Sequence, residues 1–205
     1  MLAGAPVIEA TGLAVALTVV VGYLLGSMPV AVLVARARGV DIRAVGDRNP
    51  GYWNAKDTLG RRAAVPVFVG DVAKGALAAL VGLVLAEPWW VGYVGAAAAM
   101  VGHAWPVFAG FRGGRSVLAF VGGMLVLAPV PALIAAVLCA VVTLVTRRFA
   151  IGARVAVFGF PVIQALFEPR ARVAATGALM CIIGLRFAMA AYGERHAAAG
   201  GTGRG

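Results

Sequence analysis

Charge is scarce in this chain of 205 residues, and acid is scarcest: eight Asp and Glu stand against eighteen Lys and Arg, and charged residues make up only 13% of the sequence. A soluble globular domain carries about 25%, so a water-facing surface over the whole molecule is excluded. Cysteine is nearly absent. Cys139 and Cys181 fall singly inside apolar runs, which excludes a disulfide framework and a thiolate metal site; no metal and no cofactor is expected. No basic segment precedes the first apolar run, so that run is read as a retained membrane helix rather than a cleaved signal. There is no internal repeat and no polar stretch long enough for a separate soluble domain, so residues 1–199 are expected to form one membrane-embedded domain and 200–205 a disordered, glycine-rich tail.

What is there is apolar: 62% of the residues are hydrophobic, gathered in runs that approach or exceed the ~20 residues needed to cross a hydrocarbon core. The expected fold is an all-α integral membrane protein, a compact bundle of about seven transmembrane helices, some of them short. The spans are read at Leu13–Ala35, Ala63–Ala86, Trp89–Phe108, two within Ser116–Thr146, then Ala150–Phe167 and Val173–Met189. Ser116–Thr146 is a long uncharged stretch divided by Ala128-Pro129-Val130-Pro131. Proline stops one helix and suits the first turn of the next, so a hairpin of two short spans is expected. The last two cores are short enough that five full spans with re-entrant pieces stays open as an alternative.

The basic residues lie between the runs. Seven alternating spans place fifteen of the eighteen on one side and only Arg170 and Arg172 on the other, with Lys74 inside the membrane. The positive-inside rule then puts the N-terminus outside and the C-terminus in the cytoplasm. Basic loops at that surface imply contact with anionic lipid and not with nucleic acid.

Several polar features interrupt this pattern. Gly26-Ser27-Met28-Pro29 breaks the first span and must face protein, because a freed backbone group in a membrane needs a partner. Asp71 and Lys74 share one helix face in the second span, either as a structural ion pair or as site-lining charges. His103 sits near the inner end of the third, as an interfacial hydrogen-bonding residue or as a catalytic candidate. Beyond it, Arg112-Gly113-Gly114-Arg115-Ser116 combines paired glycines, which allow backbone N–H groups to converge, with flanking guanidiniums and the start of a helix. That is the chemistry of a phosphate seat, or else an ordinary basic loop. The polar segment Arg36–Arg62 belongs to the same side and can share a pocket with it. There Asn49 and Asn54 are candidate catalytic residues, each able to donate and accept. Asp47, Arg48, Gly51, Lys56 and Asp57 are possible lining residues, with Ser27, Asp71 and Lys74 from the spans.

Taken in order, G-S-x-P in the first span, D-I-R-x-x-G-x-x-N-P-G-x-x-N and T-L-G in the first loop, D-x-x-K-G in the second span and G-H-x-x-P-V-F-x-x-F-R-G-G-R after the third resemble the bacterial acyl-phosphate:glycerol-3-phosphate acyltransferases, the PlsY family. The likeness is colinear from Gly26 to about Val117. It implies a multi-pass protein of the bacterial inner membrane that moves a fatty acyl group from acyl phosphate to the 1-hydroxyl of glycerol 3-phosphate, with both as substrates. It also implies that the glycine-basic loop holds phosphate. Some positions depart from the family pattern. Asp47 stands where a serine is usual, Asp57 where an arginine is usual, and Tyr52-Trp53 where Ala-Thr is usual. Arg112 and Arg115 replace lysines, Ser116 replaces a glycine, and Phe187-Ala188-Met189-Ala190 lies where His-Arg-Glu-Asn is expected. The alternatives these departures raise are a member that has lost catalysis, one that binds another anionic lipid or partner, and one that acylates a different acceptor. A small transporter using Asp71 and Lys74 as pathway charges is a further class.

Overall fold

The computed structural model describes residues 12–201. Among them are nine α-helices, one 3-10 turn and no strand. The first apolar run is two helices, α1 (Gly12–Gly26) and α2 (Val30–Arg36). Pro29, which has no N–H and cannot continue a helix, separates them. Ser27 is fully buried and the Met28 carbonyl turns inward to accept from Lys74 Nζ at 3.5 Å, so the break faces protein. The short helix α3 (Tyr52–Leu59) lies in the first loop, followed by α4 (Arg61–Leu85) and α5 (Trp89–Ala104). The chain then makes the 3-10 turn Val107–Ala109 and the glycine-basic turn before α6 (Val117–Leu127), α7 (Pro129–Thr146), α8 (Phe149–Ala165) and α9 (Arg170–Gly201).

Close contacts fix the directions. Gly22 and Gly26 of α1 lie against Ala98 and Ala99 of α5, so these two run side by side. α4 opposes them, with Ala86 beside Ala14 at one end and Lys74 near Met28 at the other. α6 climbs back along α5, from Gly114 on His103 to Leu127 on Gly92. Only Ala128 separates α6 from α7, and α7 returns toward the basic end, where Thr143 packs on Gly152 of α8. α8 then reaches Tyr93 with Gln164, and α9 descends from Arg172 over Trp89 to Arg186 over Trp105. Seven apolar segments therefore alternate in direction, and the Ala128 hairpin is present as expected.

Five of the seven are long and apolar enough to cross a membrane, while α6 and α8 are shorter apolar helices. At 1.5 Å per residue α6 covers only ~16 Å of a hydrocarbon core of about 30 Å. The reason is that the preceding turn folds back into the bundle: Ser116 Oγ donates to the Met100 carbonyl at 2.7 Å, a full turn above the end of α5. Small residues let the backbones meet in the absence of a hydrophobic drive between helices. A side chain at Gly75 would collide with the Ala119 backbone, and one at Gly122 with Val72. α9 runs past the expected end of the last span to Gly201, taking in the first residues of the expected tail. Residues 202–205 of that tail, and the N-terminal residues 1–11, lie outside the described residues.

Candidate functional site

The first loop is held by its own polar side chains. Asp41 accepts from the Arg43 backbone N–H at 3.0 Å and from Nε and Nη2 at 2.9 and 3.0 Å, and these bonds draw its carboxyl down to about 2. Arg43 Nη1 in turn reaches the Ala109 carbonyl at 3.4 Å, tying the loop to the 3-10 turn. Asn54 is buried and its amide donates to the Ile42 and Val45 carbonyls at 2.9 Å each. Both amide donors of this candidate residue are therefore committed to closing the loop, which leaves its Oδ1 as the only side-chain atom open to another partner. Asp47 accepts from the Asn49 N–H at 3.1 Å, while its other oxygen faces Arg115 Nη1 at 3.3 Å. Asn49 and Gly51 line a cavity wall.

The glycine-basic turn is pinned from both sides. The Gly114 N–H donates to the His103 carbonyl at 3.0 Å. Arg186, from α9, donates to the carbonyls of Gly113 and Gly114 at 2.8 and 3.0 Å while stacking over Trp105. A Cβ at Gly113 would meet the His103 carbonyl, and one at Gly114 its imidazole. The paired glycines thus serve close approach to His103, and one of the N–H groups expected to converge on a ligand is already committed. Ser116 adopts a left-handed conformation at the start of α6, and its buried hydroxyl donates to the Met100 carbonyl. Arg186 carried no motif. Its only signal is that it is an isolated arginine closing an apolar run.

The two arginines flank the turn and border different spaces. Arg112 is exposed, has no side-chain partner among the described residues, and borders a small polar niche with Met28, Pro50, Lys74 and Gly113. Arg115 borders a far larger cavity of about 400 Å³ between α6, α7 and α8, and it lies over the Phe187 ring at 4.8 Å. Its Nε is buried without a hydrogen-bond partner. Asp71 and His103 belong to the walls of both spaces. Asp71 pairs with Lys74 at 2.8 Å, and His103 Nδ1 stands 3.5 Å from the same carboxylate oxygen, an electrostatic contact rather than a hydrogen bond. The pair is a buried ion pair whose two members border the niche, and Asp71 borders the cavity as well. Removing one partner of such a pair strands a charge, at roughly 3–5 kcal/mol.

The remaining candidates lie elsewhere. Ser27 is sealed against Gly102 with an unpartnered hydroxyl and borders neither space. Arg48 is exposed in a left-handed conformation. Asp57 is exposed and pairs with Lys56 at 3.7 Å, and Lys56 also sits over the Trp53 ring. Two aromatics prove closer to the cavity than these charges: Trp53 of α3 meets Phe149 of α8 at 5.2 Å between ring centroids, and both line it.

The arrangement offers a cationic niche and an apolar cavity joined at one carboxylate and one imidazole. Comparisons with known proteins identify the family. A family model described as glycerol-3-phosphate acyltransferase matches residues 16–195. The glycerol-3-phosphate acyltransferase of Rubrobacter xylanophilus is 42% identical over 139 residues, 68% of this chain and 70% of that protein. That of Geobacter sulfurreducens is 40% identical over 152 residues, covering 73% and 77%. Two crystal structures of PlsY, an integral membrane glycerol 3-phosphate acyltransferase, superpose over 84% of this chain and 87% of theirs. The glycerol 3-phosphate form has a TM-score of 0.75 at 28% identity, and the lysophosphatidic acid form 0.72 at 27%.

Proposed function

Because the chain belongs to the glycerol-3-phosphate acyltransferase family, we propose that it transfers a fatty acyl group from acyl phosphate to the 1-hydroxyl of glycerol 3-phosphate at the junction of the two spaces. The observation that carries this reading is the shared wall. Asp71 and His103 border the niche beside Arg112, a dent of only about 10 Å³, and also the apolar cavity of about 400 Å³ beside Arg115, so an acyl chain in the cavity and a phosphorylated polyol at its mouth, with Arg112 and Arg115 on either side, can meet at this wall. Asn49 and Gly51 complete the mouth from the first loop.

In the transfer, the acceptor hydroxyl oxygen bonds to the acyl carbonyl carbon, the carbon–oxygen bond to phosphate breaks, and inorganic phosphate leaves with its electron pair. The hydroxyl proton passes to a phosphate oxygen, so no nucleophilic triad is required. The donor is already activated, and positioning with charge stabilisation supplies the catalysis. Arg115, which borders the cavity, meets the donor phosphate, while Arg112 meets the acceptor phosphate. The Asp71–Lys74 pair holds the carboxylate beside His103. With the basic end in the cytoplasm, the protein lies in the bacterial inner membrane with its N-terminus outside and draws acyl chains sideways from the bilayer.

A second reading, a member with weakened phosphate binding or another acceptor, is favoured by one contact: Asp47 occupies Arg115. Purified protein in detergent, given acyl phosphate and a panel of phosphorylated polyols, tests both. Lysophosphatidic acid and phosphate in equal amounts are expected. Product with a different polyol only would establish the second reading, and no product with any would refute transfer.

A further inference from the structure

The cavity has an end as well as a mouth, and the end is built differently from the walls. Its sides are small or flexible apolar residues, with Val121 from α6, Ala135 and Cys139 from α7, and Ala156 from α8. At the far end stand Met124 and Phe160, both buried. Phe160 meets Phe120 edge to face at 5.8 Å, and Met124 Sδ accepts from Thr176 Oγ1 at 3.7 Å. Behind them Gln164, fully buried, donates to Tyr93 Oη at 3.1 Å and to Glu168 at 3.0 Å. An apolar chain pushed past the stop would break these bonds and leave an amide unsatisfied in an apolar interior, which is costly. The end is therefore rigid where the sides can yield.

We infer that this cavity is a closed-ended slot that measures the acyl chain, with Met124 and Phe160 as its stop; the inference rests on the acyl-transfer reading above. The slot's depth follows from the helices that line it. From Ser116 to Met124 along α6 is ~12 Å, and from Phe149 to Phe160 along α8 ~16 Å, at 1.5 Å per residue. A fully extended alkyl chain built from ~1.5 Å bonds advances ~1.25 Å per carbon, so the slot accepts about 10–13 carbons in extended form. Longer chains must bend out toward lipid past Leu125, which is 39% exposed, and lose burial.

The test uses a series of saturated acyl phosphates shorter and longer than the slot. Transfer rates are read alongside the thermal stabilisation of the detergent-solubilised protein by the corresponding 1-acylglycerol 3-phosphates, a binding measurement that needs no turnover. Wild type is expected to peak near 12 carbons, within the ~10–13 that fit. Phe160→Ala or Met124→Ala should move the peak up by about 4 carbons, the length of one freed helical turn. Ala135→Phe, which narrows the cavity that this residue lines, should move it down, with an unliganded unfolding midpoint close to wild type showing that the fold is kept. A flat wild-type profile, or an unmoved peak in Ala135→Phe, overturns the slot even if transfer is robust. Conversely, no transfer from any donor but a binding optimum that moves as described would retain the slot and refute the reaction.

Discussion

Asp47 is the residue whose removal tests the phosphate site most directly. Its carboxylate faces Arg115 Nη1 at 3.3 Å, with side-chain exposures of 39% for Asp47 and 23% for Arg115. Coulomb's law at an effective dielectric near 20 gives ~5 kcal/mol for unit charges at this separation. More than a third of the aspartate side chain meets solvent, however, and exposed ion pairs measure only about 0.2–1 kcal/mol. The competition between Asp47 and an incoming phosphate for Arg115 is accordingly worth about 1 kcal/mol, or roughly fivefold in apparent affinity. Asp47→Asn removes the charge but retains an oxygen to accept the Asn49 N–H, so the turn survives. The expected result is a KM for the phosphate-bearing substrate on Arg115 about fivefold lower, with kcat little changed, because the interaction acts on binding. The gain should shrink at high salt. In an Arg115→Ala background the same substitution should give no gain, since the cycle isolates the pair. A KM that is unchanged or raised in Asp47→Asn, or an equal gain with and without Arg115, would refute the reasoning.

Three further outcomes are expected. Arg186→Ala should destabilise the protein by ~2–4 kcal/mol, because two buried glycine carbonyls lose charge-assisted bonds; Arg186→Lys should recover only part, since an ammonium lacks the planar fork, and detergent-unfolding midpoints of the three proteins check this. Asp41 has its folded pKa drawn from 3.8 to about 2, so its contribution is fully present above pH 3.8 and is lost as pH falls through about 2. The stability gap between wild type and Asp41→Asn should hold constant from neutral pH to near 4 and close below it, and a gap that closes near neutrality would contradict the assignment. Reporters fused at Met1 and at Gly205 should read opposite sides of the membrane, as an odd number of crossings requires, and agreement between them would overturn the alternating topology.

Burial of apolar segments in lipid is a local property of the chain, and so the sequence alone carried most of the fold. Long apolar runs, sparing in charge, marked the seven segments, and Ala128-Pro129 marked the hairpin between α6 and α7. The break at Gly26–Pro29 was legible for the same reason, since a proline costs a helix its hydrogen bond wherever it stands. Motif order brought the first loop and the glycine-basic turn to one end of the molecule. Which atoms are free there was a tertiary decision. Asn54 and Ser116 look like ligand contacts in sequence, yet the first closes its loop onto Ile42 and Val45 and the second is drawn against Met100 by the fold-back of the turn. Arg112 and Arg115 are neighbours along the chain, but the turn between them points one into the polar niche and the other into the apolar cavity. Arg186 and the Asp47–Arg115 pair join residues about 70 positions apart. A hydrogen bond acts over about 3 Å, and no spacing along one strand of sequence specifies which distant group the packing of helices will bring within that reach.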